Sequence, residues 1–435
     1  MQEIFIERKL CFMNKSNTAY KYIGDYIYNL RKDGWHVTLN LNVTDREQTS
    51  YDEILEEIDG VPVTDMTKTF ALCKRLEKSP KIPKSITNMW ATFEGCINLT
   101  DTPEIPNGVV HMYHTFKNCK SLNIAPKIPN SVKNMHGTFA YCTSLNTVPE
   151  ISDGVEDMSY TFENCTNLTI VPAIPSSVKY MSATFKNCST LIAAPKIPDG
   201  VEDISYTFAG CSNLTIVPTI PNSVVDMSYT FENCTSLIKA PTISNNVTNM
   251  FCTFNGCTSL TTVPKIPNSV KYMTGTFENC TSLVKAPTIP NSVEEMICIF
   301  EYCSALTEVP SIPNNVKDIS YAFENCKSLT IAPEIPHSVE YMRGTFEGCT
   351  SLIEAPTIPN NVTSIGCTFK GCTSLTGKIE INASHIQIYE DCFLDTNRPI
   401  VLTGTSPQLH DISAKYSNVD YDITNGNQTQ FCPET

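Results

Sequence analysis

Two copies of the octapeptide TFENCTSL stand at 230–237 and 276–283, 46 residues apart. Half of that interval is the period of the chain. A phenylalanine recurs every 23 residues from Phe70 to Phe369, fourteen times without an insertion. A cysteine follows each by three residues, from Cys73 to Cys372, and a leucine by six, from Leu76 to Leu375. A fixed period of this length marks a solenoid, whose units hide their apolar edges only against their neighbours.

The unit reads M-x-x-T-F-E-N-C-T-S-L-x-x-A-P-x-I-P-x-x-V-x-x. Phe, Cys and Leu at i, i+3 and i+6 share one face of a short helical or 3₁₀ turn. The residue before Cys is mostly Asn or Gly, types that tolerate a left-handed backbone. The stretch exemplified by VPKIP at 263–267 holds two prolines that cannot donate to a ladder, so it reads as an extended connector. The proline-free stretch SVKYM at 269–273 is left as a short parallel strand with an irregular entry. Each rung therefore buries Met, Phe, Cys, Leu, Ala or Val, Ile and Val, and both ends need covering.

The 435 residues carry a formal charge of −14. That balance argues against nucleic acid, which requires a basic face, and against anionic lipid. No apolar run approaches the ~20 residues of a membrane span, so no membrane insertion is expected. The opening MQEIFIERKLCFMNK lacks the apolar core of a signal peptide, which leaves the location open. Of twenty cysteines, fourteen belong to the repeat and read as buried free thiols rather than disulfides. Cys252, Cys298 and Cys367 form a second column, two and three rungs apart, too far to bridge one another.

The ends depart from the pattern. SNTAYKYIGDYIYNLRKDG from Ser16 reads as an amphipathic helix with Tyr20, Ile23, Ile27 and Leu30 on one face, ending at Gly34. WHVTLNLNV then alternates Trp35, Val37, Leu39, Leu41 and Val43 as a strand. After Leu375 the motif fails, with Ile379 in place of a proline and Phe393 one residue late. The expected organisation is an N-terminal cap of helix plus strand at 1–57, a repeat solenoid of about fourteen rungs at 58–375, and a C-terminal cap at 376–435. The caps would be α/β segments.

Phe, Cys, Leu, Ile-Pro, Val and Met at these offsets resemble the BspA-like leucine-rich repeat family. The shared core is F-x-x-C-x-x-L with the I-P-x-x-V step, and IDGVPVTDMTKTF at 58–70 resembles an opening segment found there, with Gly60 and Pro62 in matching places. The resemblance spans about 58–375. It implies a leucine-rich-repeat solenoid used for non-catalytic protein interaction or adhesion, often at a microbial cell surface, with the cytoplasm as the alternative location. A protein or glycan would be the partner, and no cofactor is called for. A rigid spacer in a larger surface or virion assembly is the second reading. Fourteen rungs at about 4.8 Å would reach roughly 65–70 Å.

Binding residues in a solenoid are those that vary between rungs on an exposed face. On a strand, the positions before and after Met point the same way. Before Met stand Asn88, His111, Asn134, Asp157 and Tyr180; after it stand Trp90, Tyr113, His136, Ser159 and Ser182. Trp90, Tyr113 and His136 are thus expected to stack beside His111 as a ligand-binding row. Sealing of the open end by Trp90 is the structural alternative. Histidines in the row would make binding respond between about pH 5.5 and 7.5. His136, Ser159 and Asp157 superficially suggest a hydrolase triad, but nothing provides an oxyanion hole. The C-x₄-C pairs at 252–257, 298–303 and 367–372 lack the partners of a zinc site.

Overall fold

The computed structural model describes residues 7–13, 20–31, 34–41, 48–51, 54, 56–58 and 60–422. The chain divides into two compact units, 1–224 and 225–435. Each unit holds seven of the fourteen phenylalanine rungs, Phe70 to Phe208 and Phe231 to Phe369.

Within a rung the backbone N–H groups alternate between two tasks. Those of Thr92, Glu94 and Cys96 close turns on the carbonyls of Met89, Ala91 and Phe93 at 3.1–3.2 Å. Those of Met89, Ala91, Phe93 and Gly95 reach His111, Tyr113, Thr115 and Lys117 of the following rung at 2.8–3.0 Å. Unit 2 repeats the scheme, with Cys252, Phe254 and Gly256 donating to Thr274, Thr276 and Glu278. Every second donor therefore leaves its own rung, which a helix cannot allow. Two left-handed residues per rung make this possible: Ala91 and Gly95 at φ 50° and 75°, then His114 and Asn118 at 56° and 64°. The expected helical or 3₁₀ turn is thus replaced by consecutive tight turns.

The expected strand shrinks to one bridge per rung, at the residue before Met. In unit 1 parallel bridges link Asn88, His111, Asn134, Asp157, Tyr180 and Asp203 in turn. A second column of bridges runs through the connector, as Ile124 to Thr147 and Ala193 to Ile216. Beyond it each I-P-x-x-V step closes as a turn, with Val109 N–H donating to the Pro106 carbonyl at 3.1 Å. The flanking prolines keep both ladders this short.

The core is a column of stacked rings. In unit 1 the centroids from Phe70 to Phe208 lie 5.3–5.8 Å apart with planes within 8°. In unit 2 the column runs from Phe231 past the end of the written motif, because Phe393 stacks on Phe369 at 5.6 Å despite its late arrival. Rung Met, Leu and Cys side chains are fully buried around the rings. In twelve of the fourteen rungs a threonine precedes Phe and is buried too, a role the residue pattern had not suggested. Thr138 Oγ1 donates to the carbonyls of Met112 at 2.7 Å and Met135 at 2.8 Å, so burying the hydroxyl leaves no polar group unpaired.

Twelve of the repeat thiols lie 3.0–3.2 Å from the phenylalanine carbonyl of the preceding rung, as Cys96 Sγ to Phe70 O and Cys303 Sγ to Phe277 O. Burial pushes the Cys142 and Cys211 thiols up to about 12. Thiolate is the reactive form, so few thiols should react with an aromatic disulfide reagent in the folded protein. The count should rise on denaturation without reductant. A high native count, or no rise, would overturn the buried-thiol assignment.

Unit 1 opens with a five-stranded sheet of order β1-β2-β3-β5-β4. Its strands are β1 Glu7–Met13, β2 Tyr20–Arg31, β3 Gly34–Leu41, β4 Glu57–Ile58 and β5 Val61–Asp65. The helix expected from Ser16 is therefore a strand over its described part; Ser16 itself and Val43 lie outside the described residues. β2 pairs antiparallel with β3 from Arg31–Gly34 to Gly24–Leu41. The physical reason is compositional. Tyr and Ile favour strands, Gly24 would cost a helix interior about 1 kcal/mol, and Asp33-Gly34 is a hairpin signal. The strand expected from Trp35 is β3, which pairs parallel with β5. In unit 2, β6 Gly377–Glu380, β7 Ile400–Thr403 and β8 Val419–Tyr421 form a parallel sheet, with helix α1 Leu409–Ser413 between β7 and β8. Among the described residues no helix is long and apolar enough to cross a membrane.

Candidate interaction face

The column before Met is largely a conformational device. In unit 1 the Oδ1 atoms of Asp65, Asn88, Asn134, Asp157 and Asp203 accept the N–H two residues on, at 2.7–3.1 Å. These are Asx turns, in which the side chain replaces a backbone acceptor. They hold the residue after Met at a fixed angle, so the Asp and Asn of this column shape the face rather than decorate it.

Trp90 and His136 are set in this way, and Tyr113 lies between them to complete the expected row. The Trp90 and Tyr113 rings meet edge-on at 6.1 Å, and Tyr113 stacks on His136 at 4.7 Å with 13° between planes. Trp90 is 41% exposed, and the Lys68 ammonium lies 5.2 Å from its ring centroid. Two residues not anticipated join from the left-handed position two after Met. His114 packs 4.1 Å from Tyr113, and Tyr160 lies 5.1 Å from His136. His114 has room because Gly137 follows in its column; a Cβ there would lie 2.7 Å from His114 Nε2. The signal available in the sequence was that pairing of a large residue with Gly or Ala one rung on, as His114 with Gly137 and Tyr160 with Ala183. His111 stands in the neighbouring column, bridged to Asn88 and Asn134. Among the described residues it takes no part in the ring contacts.

The row is electrically quieter than histidines suggest. Burial, then Lys117, then His136 hold His114 down at about 4. Burial also lowers His136, against the opposing pull of Asp157. The His114 imidazole is thus neutral across the window expected from sequence, and its response moves to lower pH. His114 binds protons later in the folded than in the unfolded chain, so its contribution is present above pH 6.5 and lost as pH falls toward about 4. In unit 2, burial and then Glu301 and Glu347 raise Glu324 to about 7. Its sign is opposite: the contribution is present below 4.5 and lost as pH rises through about 7. Urea midpoints measured from pH 7.5 to 4 should show His114→Gln flattening the acid loss and Glu324→Gln steepening it. Unchanged profiles would show that neither group governs the response.

The supposed triad is not assembled. Asp157 Oδ2 accepts from Asn134 Nδ2 at 2.9 Å and lies 3.8 Å from His136 Nδ1. Ser159 meets the same carboxylate through its backbone N–H, at 2.9 Å. This is the geometry of a structural turn beside an imidazole. Among the described residues no group of three His, Cys, Asp or Glu side chains could hold a metal ion.

Comparison with known families gives three overlapping matches, at 66–192, 182–307 and 274–400, to the family model described as "BspA type Leucine rich repeat region (6 copies)". The chain belongs to the BspA-type leucine-rich repeat family. A search of curated proteins returned no match. Among solved structures, the BspA-type chain is similar to a leucine-rich repeat protein from Bacteroides ovatus, at 20% identity and a TM-score of 0.59. That match covers 91% of this chain and 98% of the other, and at this identity the likeness is one of fold. A leucine rich cell surface protein from Faecalibacterium prausnitzii matches at 20% identity over 87% of this chain and 96% of its own, with a TM-score of 0.46. The pneumococcal vaccine antigen PcpA matches at 16% identity over 92% and 97%, with a TM-score of 0.41.

Proposed function

We propose that the chain is a non-catalytic protein-recognition module whose contact surface is the aromatic row of unit 1, used for adhesion at a cell surface or outside the cell. The observation that supports this is the row itself: five rings from four rungs, three of which carry Asx turns at Asn88, Asn134 and Asp157, with Trp90 half in solvent. Clustered, pre-set aromatic anchors are what binding hot spots are made of. The repeat family points the same way, since its rungs supply a scaffold and leave varied positions free.

The way the rings pack favours a protein over a glycan. A sugar stacks on an open aromatic face. Here one Trp90 face is taken by Lys68, and Tyr113 and His136 cover each other. Ring edges, the Tyr hydroxyls and the indole N–H are left, which suit backbone and side-chain acceptors of a protein. The spacer reading draws on the uniform Ser159, Ser182 and Ser205 column, where the Ser182 and Ser205 hydroxyls meet at 3.0 Å.

A partner protein trapped by proximity cross-linking on native cells would be purified and titrated with the full chain. Tyr113→Ala should weaken binding at least tenfold, about 1.4 kcal/mol, whereas Tyr272→Ala in unit 2 should not. If Trp90→Ala lowers the melting temperature and affinity survives every change in the row, the row is a seal and this reading fails. Capture of glycans on an array, lost with Tyr113→Ala, would overturn the choice of ligand class.

A further inference from the structure

A second exposed surface of unit 1 is unlike the rest of this acidic chain. Two residues past the rung leucines runs the column Ile124, Thr147, Ile170, Ala193, Ile216. Ile124, Ile170 and Ile216 are 57%, 70% and 61% exposed, and Ile192 in the adjoining column is 55% exposed. Otherwise the adjoining column holds only Asn and Thr over these five rungs, so no charged residue stands in either. Earlier in the same column come Lys78 and Asp101, paired by a parallel bridge, a charged rim to an uncharged patch.

The patch has relief. Parallel bridges set Ile124 beside Thr147 and Ala193 beside Ile216, so a large side chain alternates with a small one. The isoleucine ridges stand two rungs apart, about 10 Å, with a gap one side chain wide at Thr147 and at Ala193. A partner that fills it needs apolar ridges at the same interval and no charges. The column itself has that form.

We propose that this face docks a second copy of the same chain, antiparallel, about a two-fold axis lying between the rungs of Ile170 and Ala193. Ile170 of each copy then enters the gap over Ala193 of the other, and Ile216 of each enters the gap over Thr147. A two-fold axis makes each contact twice from one patch. Across the rungs from Thr147 to Ile216, no side chain of either column faces a charge. The patch is narrow, so the dimer belongs to the weak class that buries less than about 1,200 Å² and dissociates on dilution.

Sedimentation of the full chain from micromolar to near-millimolar concentration tests this. The native protein should show a reversible monomer–dimer equilibrium. Ile170→Lys and Ala193→Glu, each set in the opposing apolar gap, should each raise the dissociation constant at least tenfold. Ile331→Lys, an exposed change in unit 2, should not. Mixing the Ile170→Lys chain with the Ala193→Glu chain should restore association, because the axis places the new lysine opposite the new glutamate. Circular dichroism would confirm that each variant is folded, as expected for exposed sites. A native chain that stays monomeric, a dimer indifferent to both changes, or variants that do not recover on mixing would each overturn the proposal.

Discussion

Phe139→Ala is expected to cost unit 1 about 3–5 kcal/mol, the loss that follows from emptying a ring-sized site in a packed core. Phe139 is fully buried, 5.6 Å from Phe116 and 5.8 Å from Phe162. Truncation removes the ring and leaves a void that its neighbours cannot close. Their own positions are set by the ladder bonds above and below, such as Phe139 N–H to Thr161 O at 2.9 Å. A repeat array amplifies the effect, because stability lives in contacts between adjacent rungs. One void weakens two interfaces at once. Tyr180→Ala, on an exposed side chain of the same unit, should stay within about 0.5 kcal/mol. Urea unfolding of the two variants decides the matter. Equal costs would mean that the inward and outward positions have been assigned wrongly.

The same contrast shows what could be read from residues alone. The Phe, Cys and Leu columns were legible because each repeats every 23 residues without a slip, and burial follows directly from that constancy. Trp90, Tyr113 and His136 were legible as a row because they share a column on neighbouring rungs. His114 and Tyr160 were not. They occupy the second position after Met, which in a helical turn would lie elsewhere. Only the left-handed backbone, φ 56° and 57°, swings them into the row. That conformation is set by ladder bonds between rungs, which a local reading does not include. The first strands failed for a related reason. Tyr20, Ile23, Ile27 and Leu30 fit a helical period, while Tyr20, Tyr22, Tyr26, Tyr28 and Leu30 fit an alternating one. The pairing of β2 with β3 decides between them. The low values of His114 and His136 depend on burial, which the identity of a histidine does not reveal.

Gly137→Ala should then disturb both the stability of unit 1 and the row that the proposed function uses. Gly137 has φ 57°, and Ala91 and Ala183 sit in the same column at 50° and 53°. An alanine is therefore possible here, at a left-handed cost of about 1–2 kcal/mol. The difference lies in the neighbour. Its Cβ would overlap Cδ2 of His114 and come within 2.7 Å of Nε2, so the imidazole must turn away from Tyr113. Overpacking of this kind adds about 1 kcal/mol or more. It also withdraws the ring that lies 4.1 Å from Tyr113 and 5.8 Å from His136, so the Tyr113–His136 stack loses its lateral support. Trp90 packs on that stack and should report the change as a shift in tryptophan fluorescence. Removing the obstacle isolates the cause. In the His114→Ala background, Gly137→Ala should add only the left-handed cost. The two changes should then cost less together than their sum by about 1 kcal/mol. The equivalent pairs in unit 2, Cys252 with Gly275 and Tyr321 with Gly344, should couple in the same direction. Strict additivity at 114 and 137 would mean that the imidazole does not depend on the glycine.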